Sequence, residues 1–200
     1  MRWLLVMLLA AVLGGCAGVP WGRGPAPPAT PDLIEEHAAA IAAMRHWRLN
    51  GRMAVQHDDQ GFSAGLEWRE RDGAFDLRVA APLGRGTVAM SGDAAHVTLT
   101  TPKGEHFVAD SAENLMQAHL GWSLPVGGAR YWVKGMPAPD TPPAQEVYDG
   151  QGRWTDFAQD GWRISILDYD DDTGLSLPRK LFLSRDDLQV RLVIETWQRN

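Results

Sequence analysis

The sequence predicts a mainly β domain with a few helices, built as one strongly curved antiparallel sheet or incomplete barrel of roughly ten or eleven strands. Three observations predict it. From Trp47 to Phe107, and again from Arg153 to Trp197, apolar residues recur at every second position, the period of a strand with one wet face. These runs are short and are punctuated by turn formers such as Arg71-Asp72-Gly73, Ser91-Gly92-Asp93 and Pro102-Lys103-Gly104. Helical spacing is confined to three short segments, enough to cap a concave sheet but not to build a helical domain.

Asp32 to Met44 reads as an amphipathic helix, with Leu33, Ile34, Ile41 and Met44 among many alanines and Glu35 and Glu36 in the turn after Pro31. From Trp47 the period changes to two: Leu49, Met53 and Val55 alternate with Arg48, Asn50, Arg52 and Gln56. Phe62, Ala64, Leu66 and Trp68 form the next inward row, and Phe75, Leu77 and Val79 the third. Val88 and Met90, Val97 and Leu99, and Phe107 continue the meander. Asp110-Ser111 caps a helix over Ala112 to Leu120, ended by Gly121; a shorter one runs from Ala129 to Lys134, ended by Gly135. Met136 to Pro143 is too rich in proline for regular structure. Strands resume at Arg153 to Gln159, Trp162 to Tyr169, Lys180 to Ser184 and Gln189 to Trp197, contributing Ile164, Ile166, Leu183, Leu192 and Ile194 to the inner face. A sheet this wide either packs solid or leaves an apolar cavity, and periodicity does not choose between them. The residues that would line such a cavity are Leu49, Met53, Leu66, Trp68, Leu77, Val88, Met90 and Leu99 from the first run of strands, with Ile164, Ile166, Leu183, Leu192 and Ile194 from the second.

The N-terminus is a different kind of segment. Met1-Arg2 starts positive, Trp3 to Leu13 is uncharged and apolar, and Gly14-Gly15-Cys16 closes with small residues, the pattern of a secretory signal over residues 1–15. Eleven residues are too few to span a hydrocarbon core of about 30 Å as a helix. Leu13-Gly14-Gly15-Cys16 resembles the bacterial lipobox, which implies that Cys16 becomes the acylated first residue of the mature chain. Two or more acyl chains anchor stably. Residues 16–31 contain Pro20, Pro25, Pro27, Pro28 and Pro31 with Gly18, Gly22 and Gly24, a tether that reaches up to about 45 Å. Residues 32–200 then form a single domain.

Composition excludes several function classes. With 19 basic against 25 acidic side chains and a net charge of −6, the chain has no excess charge to neutralise phosphates, so nucleic acid is not a partner. The same sign argues against electrostatic steering to anionic lipid. One cysteine makes neither an internal disulfide nor a thiolate metal cage, and the six histidines are scattered without an i,i+4 pair, so neither metal nor cofactor is expected. Gly61-Phe62-Ser63-Ala64-Gly65 matches the nucleophile-elbow pattern, but Ser63 sits within a period-two strand instead of a strand-to-helix turn. Asp168, Asp170 and Asp172 have calcium-loop spacing, yet Thr173 stands where glycine is needed and Arg179 where the closing glutamate is needed. No convergent polar set is left to carry catalysis, which favours a binder over an enzyme.

Ala80 to Gly86 is a strand connection holding one large apolar residue, Leu83, among turn formers. Leu83 either folds back on the sheet edge or is presented outward, with Pro82 fixing the backbone before it and Gly84 permitting a tight reversal after it.

Several segments together resemble the outer-membrane lipoprotein receptor family LolB, in the family's order and over nearly the whole chain. They are the lipobox, Leu49-Asn50-Gly51-Arg52-Met53-Ala54, Trp68, Ala81-Pro82-Leu83-Gly84, Leu124-Pro125-Val126, Tyr131-Trp132-Val133-Lys134-Gly135, Gly161-Trp162-Arg163-Ile164, Leu177-Pro178 and Val190 to Trp197. The resemblance implies an unclosed β-barrel of about eleven strands, with about three helices over an apolar cavity. It further implies acceptance of acylated lipoproteins from the periplasmic carrier LolA, delivery to the outer membrane with help from Leu83, and anchoring there through Cys16. A structural or assembly lipoprotein with a protein-binding β-domain is the alternative. A monomer is expected in either case.

Overall fold

The computed structural model describes residues 28–82 and 86–199. Helix α1 (Pro31–Ala42) is followed by β1 (His46–His57), β2 (Gln60–Arg71), β3 (Ala74–Ala80), β4 (Thr87–Gly92), β5 (Val97–Thr100) and β6 (His106–Ala109). After α2 (Ala112–Leu120) and α3 (Val126–Trp132) come β7 (Ala144–Tyr148), β8 (Trp154–Gln159), β9 (Trp162–Asp170), β10 (Leu177–Arg185) and β11 (Leu188–Arg199). The strands form one eleven-stranded sheet in the order β6-β5-β4-β3-β2-β1-β11-β10-β9-β8-β7. Each run is an antiparallel meander, and the two meet where the first strand pairs with the last, Met53 opposite Leu192 and Val55 opposite Val190. Among the described residues the outer strands β6 and β7 do not pair with each other, so the barrel is unclosed.

The β1–β11 seam depends on a glycine. A side chain at Gly51 would place its Cβ 2.2 Å from the carbonyl oxygen of Val193. The register shifts at Asn50/Gly51, which marks a bulge that bends the strand and sharpens its twist. Tight hairpins link the neighbouring strands: Asp72 and Gly73, with φ of 47° and 87°, adopt the left-handed backbone of the β2–β3 turn.

The helices begin and end where local chemistry satisfies their terminal groups. Ser111 accepts a hydrogen bond from the Asn114 amide at 3.2 Å, and Gly121 closes α2 with φ of 78°. Helix α3 starts three residues before the expected Ala129, because Pro125 fixes the approach and the Glu113 side chain accepts the Val126 amide at 2.8 Å. Gly127 and Gly128 hide that first turn from a reading by propensity. Strand β7 was also not expected. Its pairing with β8 shifts register twice and Gln145 has φ of 54°, so no period of two survives in so short an edge strand.

The concave face is filled unevenly. At the β8–β10 end, Trp132 of α3 is fully buried, lies 6.0 Å from the Trp162 ring, and donates its indole N–H to Gln159 Oε1 at 2.7 Å. Gln159, itself buried, also accepts from the Ala138 amide and donates to the carbonyls of Ala138 and Thr141. A buried amide is stable only when its polar atoms are paired this way.

Candidate functional site

Beneath α2 and α3, the other part of the concave face is not filled. A cavity of about 220 Å³ lies there, walled on the sheet side by β1–β5, β10 and β11. Its walls carry Met53, Ala64, Leu66, Trp68, Leu77, Val79, Val88, Met90, Leu99, Leu183, Val190 and Leu192. Met116 and Leu120 of α2, Trp122 and Leu124 of the link, and Ala129 and Val133 of α3 form the cover. None of the lining side chains bears a charge, a hydroxyl or a carboxamide. An apolar space of this kind stays dry, and hydrocarbon entering it leaves water at a gain of about 0.8 kcal/mol per methylene.

The mouth is marked by exposure. Phe62 and Leu120 line the cavity yet are each 43% exposed. Ala81, Gly86 and Pro102 complete the rim. Ala81 donates its amide to the Gly86 carbonyl at 3.0 Å, which clasps these two residues together at the mouth. Pro82 is exposed beside them. Leu83, Gly84 and Cys16 lie outside the described residues.

Of the expected lining residues, Met53, Leu66, Trp68, Leu77, Val88, Met90, Leu99, Leu183 and Leu192 stand on the cavity wall. Leu49, Ile164, Ile166 and Ile194 do not; they are core residues, at most 4% exposed. Leu49 has Trp68 and Trp197 as its cross-strand partners. Ile164 pairs with Phe157 and Leu183 at the end of the sheet where Trp132 and Trp162 occupy the space. The cover residues Met116, Leu120, Trp122 and Leu124 were not anticipated. The α2 residues carry helical spacing, but nothing in the link announces that Trp122 and Leu124 turn inward.

Polar ties hold α3 behind the wall. Trp68 donates its indole N–H to Glu70 at 2.9 Å, and Arg130 reaches Glu70 at 3.6 Å and the Gly73 carbonyl at 3.0 Å. Burial raises the Glu70 carboxyl above its ordinary pKa, with Arg130 pulling the other way. Lys134, only 5% exposed, donates to the carbonyls of Ile41 and Met44 at 3.4 and 3.3 Å, joining the end of α3 to the end of α1. Burial lowers its pKa from 10.5 to about 8. Helix α2 has fewer such ties: Glu113 on the Val126 amide, and His119 tilted against Phe107 with ring centroids 4.1 Å apart. At the β1–β2 and β10–β11 turns, His57, Asp58 and Asp187 gather at the surface. Ser63 is exposed within β2, opposite Ala54.

The family model described as "Outer membrane lipoprotein LolB" matches residues 45–197. The chain belongs to the LolB family. It is therefore an outer-membrane lipoprotein, of the receptor family in lipoprotein localisation. The outer-membrane lipoprotein LolB of Nitrosococcus oceani is 38% identical over 202 residues, covering 99% of each chain. That of Stutzerimonas stutzeri is 35% identical over 195 residues, covering 98% of this chain and 94% of its own. Among solved structures, a LolA-superfamily protein from Nitrosomonas europaea superposes with a TM-score of 0.52 at 11% identity, covering 86% of this chain and 94% of that one. A DUF1329-family protein from Desulfovibrio piger gives a TM-score of 0.50 at 6% identity, over 84% of this chain and 91% of that one. At such identities the likeness is one of fold, and it shows how little sequence the curved sheet with its helical cover requires.

Proposed function

We propose that the cavity receives the acyl chains of lipoproteins brought by the periplasmic carrier LolA, and that the domain passes them to the outer membrane. The observation that carries this reading is the apolar lining, which opens at a rim that includes Ala81 and Gly86. Roughly 150 Å³ of apolar cavity holds a benzene ring, so about 220 Å³ gives room for roughly nine carbons of an acyl chain before the cover has to move. Transfer needs no bond change and no ATP. The receptor has to bind acyl chains more tightly than the carrier and less tightly than a bilayer, a gradient that burial of methylenes supplies.

In this reading residues 1–15 are the signal peptide, Cys16 carries the lipid anchor, residues 16–31 are the tether, and residues 32–200 are the receptor domain, acting as a monomer without cofactor or catalysis. Pro82, Leu83 and Gly84 form the element that enters the bilayer during delivery. The test is acceptance of a labelled acylated lipoprotein from loaded LolA by the full-length protein, compared with Leu66→Asp. An unpaired charge on the wall should abolish acceptance in protein that still shows a folded circular dichroism spectrum. Equal acceptance by folded Leu66→Asp would contradict the reading, and ester hydrolysis abolished by Ser63→Ala would replace it with a hydrolase.

A further inference from the structure

The geometry points to a second role for the rim: Phe62, Trp122 and Leu120 form a seat that rests on the bilayer interface, whether or not cargo is present. This deepens the delivery reading and rests on it. Phe62 and Trp122 come from distant parts of the chain, yet their rings lie 6.1 Å apart at the mouth. Phe62 and Leu120 are among the few large apolar side chains of the described residues left substantially exposed. Such exposure in a watery compartment costs stability unless something apolar meets it.

Trp122 adds a second observation. The indole N–H groups of Trp68, Trp132, Trp154 and Trp197 all have acceptors, respectively Glu70, Gln159, Glu146 and the Pro178 carbonyl. Three indole N–H groups have no acceptor among the described residues, those of Trp47 and Trp162 in the core and that of Trp122, half-buried at the mouth. Of the three, Trp122 is the one left partly exposed, and an amphipathic ring in partial apolar contact sits well at the boundary between hydrocarbon and headgroups.

Charge fixes which occupant fits and how it lies. The chain is net acidic, so it is not drawn to anionic lipid as a whole, and contact has to be apolar. At the same end, Asp58 and Asp59 of the β1–β2 turn lie beside Asp186 and Asp187 of the β10–β11 turn, with His57 within 3.8 Å of Asp187. Across the mouth the β5–β6 turn carries Lys103 and one carboxylate, Glu105, which is bound to Thr101 at 3.0 Å. A membrane surface repels the first side and admits the second, so the domain tilts with Phe62, Leu120, Trp122 and Pro102 toward lipid and the four aspartates held off. An acyl chain then moves from cavity to bilayer without crossing water.

The test uses the full-length lipidated protein in phosphatidylethanolamine and phosphatidylglycerol vesicles whose acyl chains are brominated near the headgroup, without cargo. In a Trp21→Phe background, which removes the tryptophan of the tether next to Cys16, bromine quenching of tryptophan fluorescence should be strong, and Trp122→Phe should remove most of the quenched component. Phe62→Ser should weaken quenching severalfold, since one aromatic anchor is worth roughly tenfold in partitioning. Unchanged quenching in Trp122→Phe would overturn the proposal. So would protection of Trp122 by the carrier with no quenching by lipid, which would make the rim a carrier-docking face. Cargo acceptance measured on the same vesicles separates the two readings: acceptance without Trp122 quenching sinks the seat alone, whereas quenching without acceptance sinks the cavity reading.

Discussion

The two ends of the concave face use the same strand pattern and do opposite things with it. Under β8–β10 the inward row Phe157, Trp162, Ile164 and Ile166 meets Trp132 and closes into solid core. Under β1–β5 the row Met53, Leu66, Leu77, Val88, Met90 and Leu99 meets only the smaller or more distant side chains of α2, the link and Ala129 and Val133, and a void is left. The helices, not the sheet, decide where the protein is a container. Helix α3 inserts its one tryptophan into one end and small residues over the other, and its polar ties to Gly73, Glu70, Ile41 and Met44 hold that arrangement in place. Helix α2 carries fewer such polar ties.

The sharpest way to break the contrast is to empty the solid end. Trp132→Ala should lower unfolding stability by about 3 to 5 kcal/mol in urea titrations, because it leaves a large cavity and removes one of the two hydrogen bonds to Gln159 Oε1. Leu77→Ala, already half-buried beside the void, should cost less than half as much. Equal losses would mean that the two ends are packed alike. At the mouth, Leu83→Glu should leave acceptance from the carrier nearly intact and slow insertion into liposomes tenfold or more, the worth of burying one leucine at about 1.5 to 3 kcal/mol. Leu83→Ile should transfer almost as wild type. If both steps fall together in Leu83→Glu, the leucine belongs to the core.

Filling the empty end is the converse experiment. Val88→Phe should occupy the void with a stability change within about 1 kcal/mol while weakening binding of a fluorescent fatty acid roughly tenfold. Ile166→Phe, in the solid end, should instead destabilise by about 1 to 3 kcal/mol and spare binding.

This asymmetry was only half legible in the sequence. Strand number, the hairpins and the inward rows follow from period two and turn residues, and Ser111 and Gly121 mark α2 by their chemistry. Period two reports which face a residue occupies, not what stands opposite it. That is why Leu49, Ile164, Ile166 and Ile194 shared a reading with Met53 and Met90. What separates them is the rotation of α3, which depends on its true start at Val126 and on Trp132 finding Gln159, a contact 27 residues away in sequence. Trp122 and Leu124 lie in a link with no period, so their place at the mouth has no local signal.

The smallest expected effect concerns Lys134. Its folded pKa, lowered to about 8 by burial, lies below the 10.5 of an ordinary lysine. The unfolded chain therefore holds more protons between these values, and its burial penalty is full below pH 8 and relieved as pH rises toward 10.5. The stability of wild type relative to Lys134→Met should thus increase over that window by on the order of 1 kcal/mol, as read from urea midpoints. A flat difference would show that Lys134 is not buried as a charge.

The most direct measurement is photo-crosslinking. A lipoprotein bearing a diazirine near the middle of one acyl chain is passed from LolA to the full-length protein, irradiated, and the adducts are mapped by mass spectrometry. Adducts on Met53, Met90, Leu99 and Met116 are expected, with none on Trp162, Ile164 or Ile166. Adducts confined to the β8–β10 end or to the outer surface of the sheet would contradict the assignment of the cavity as the acyl site.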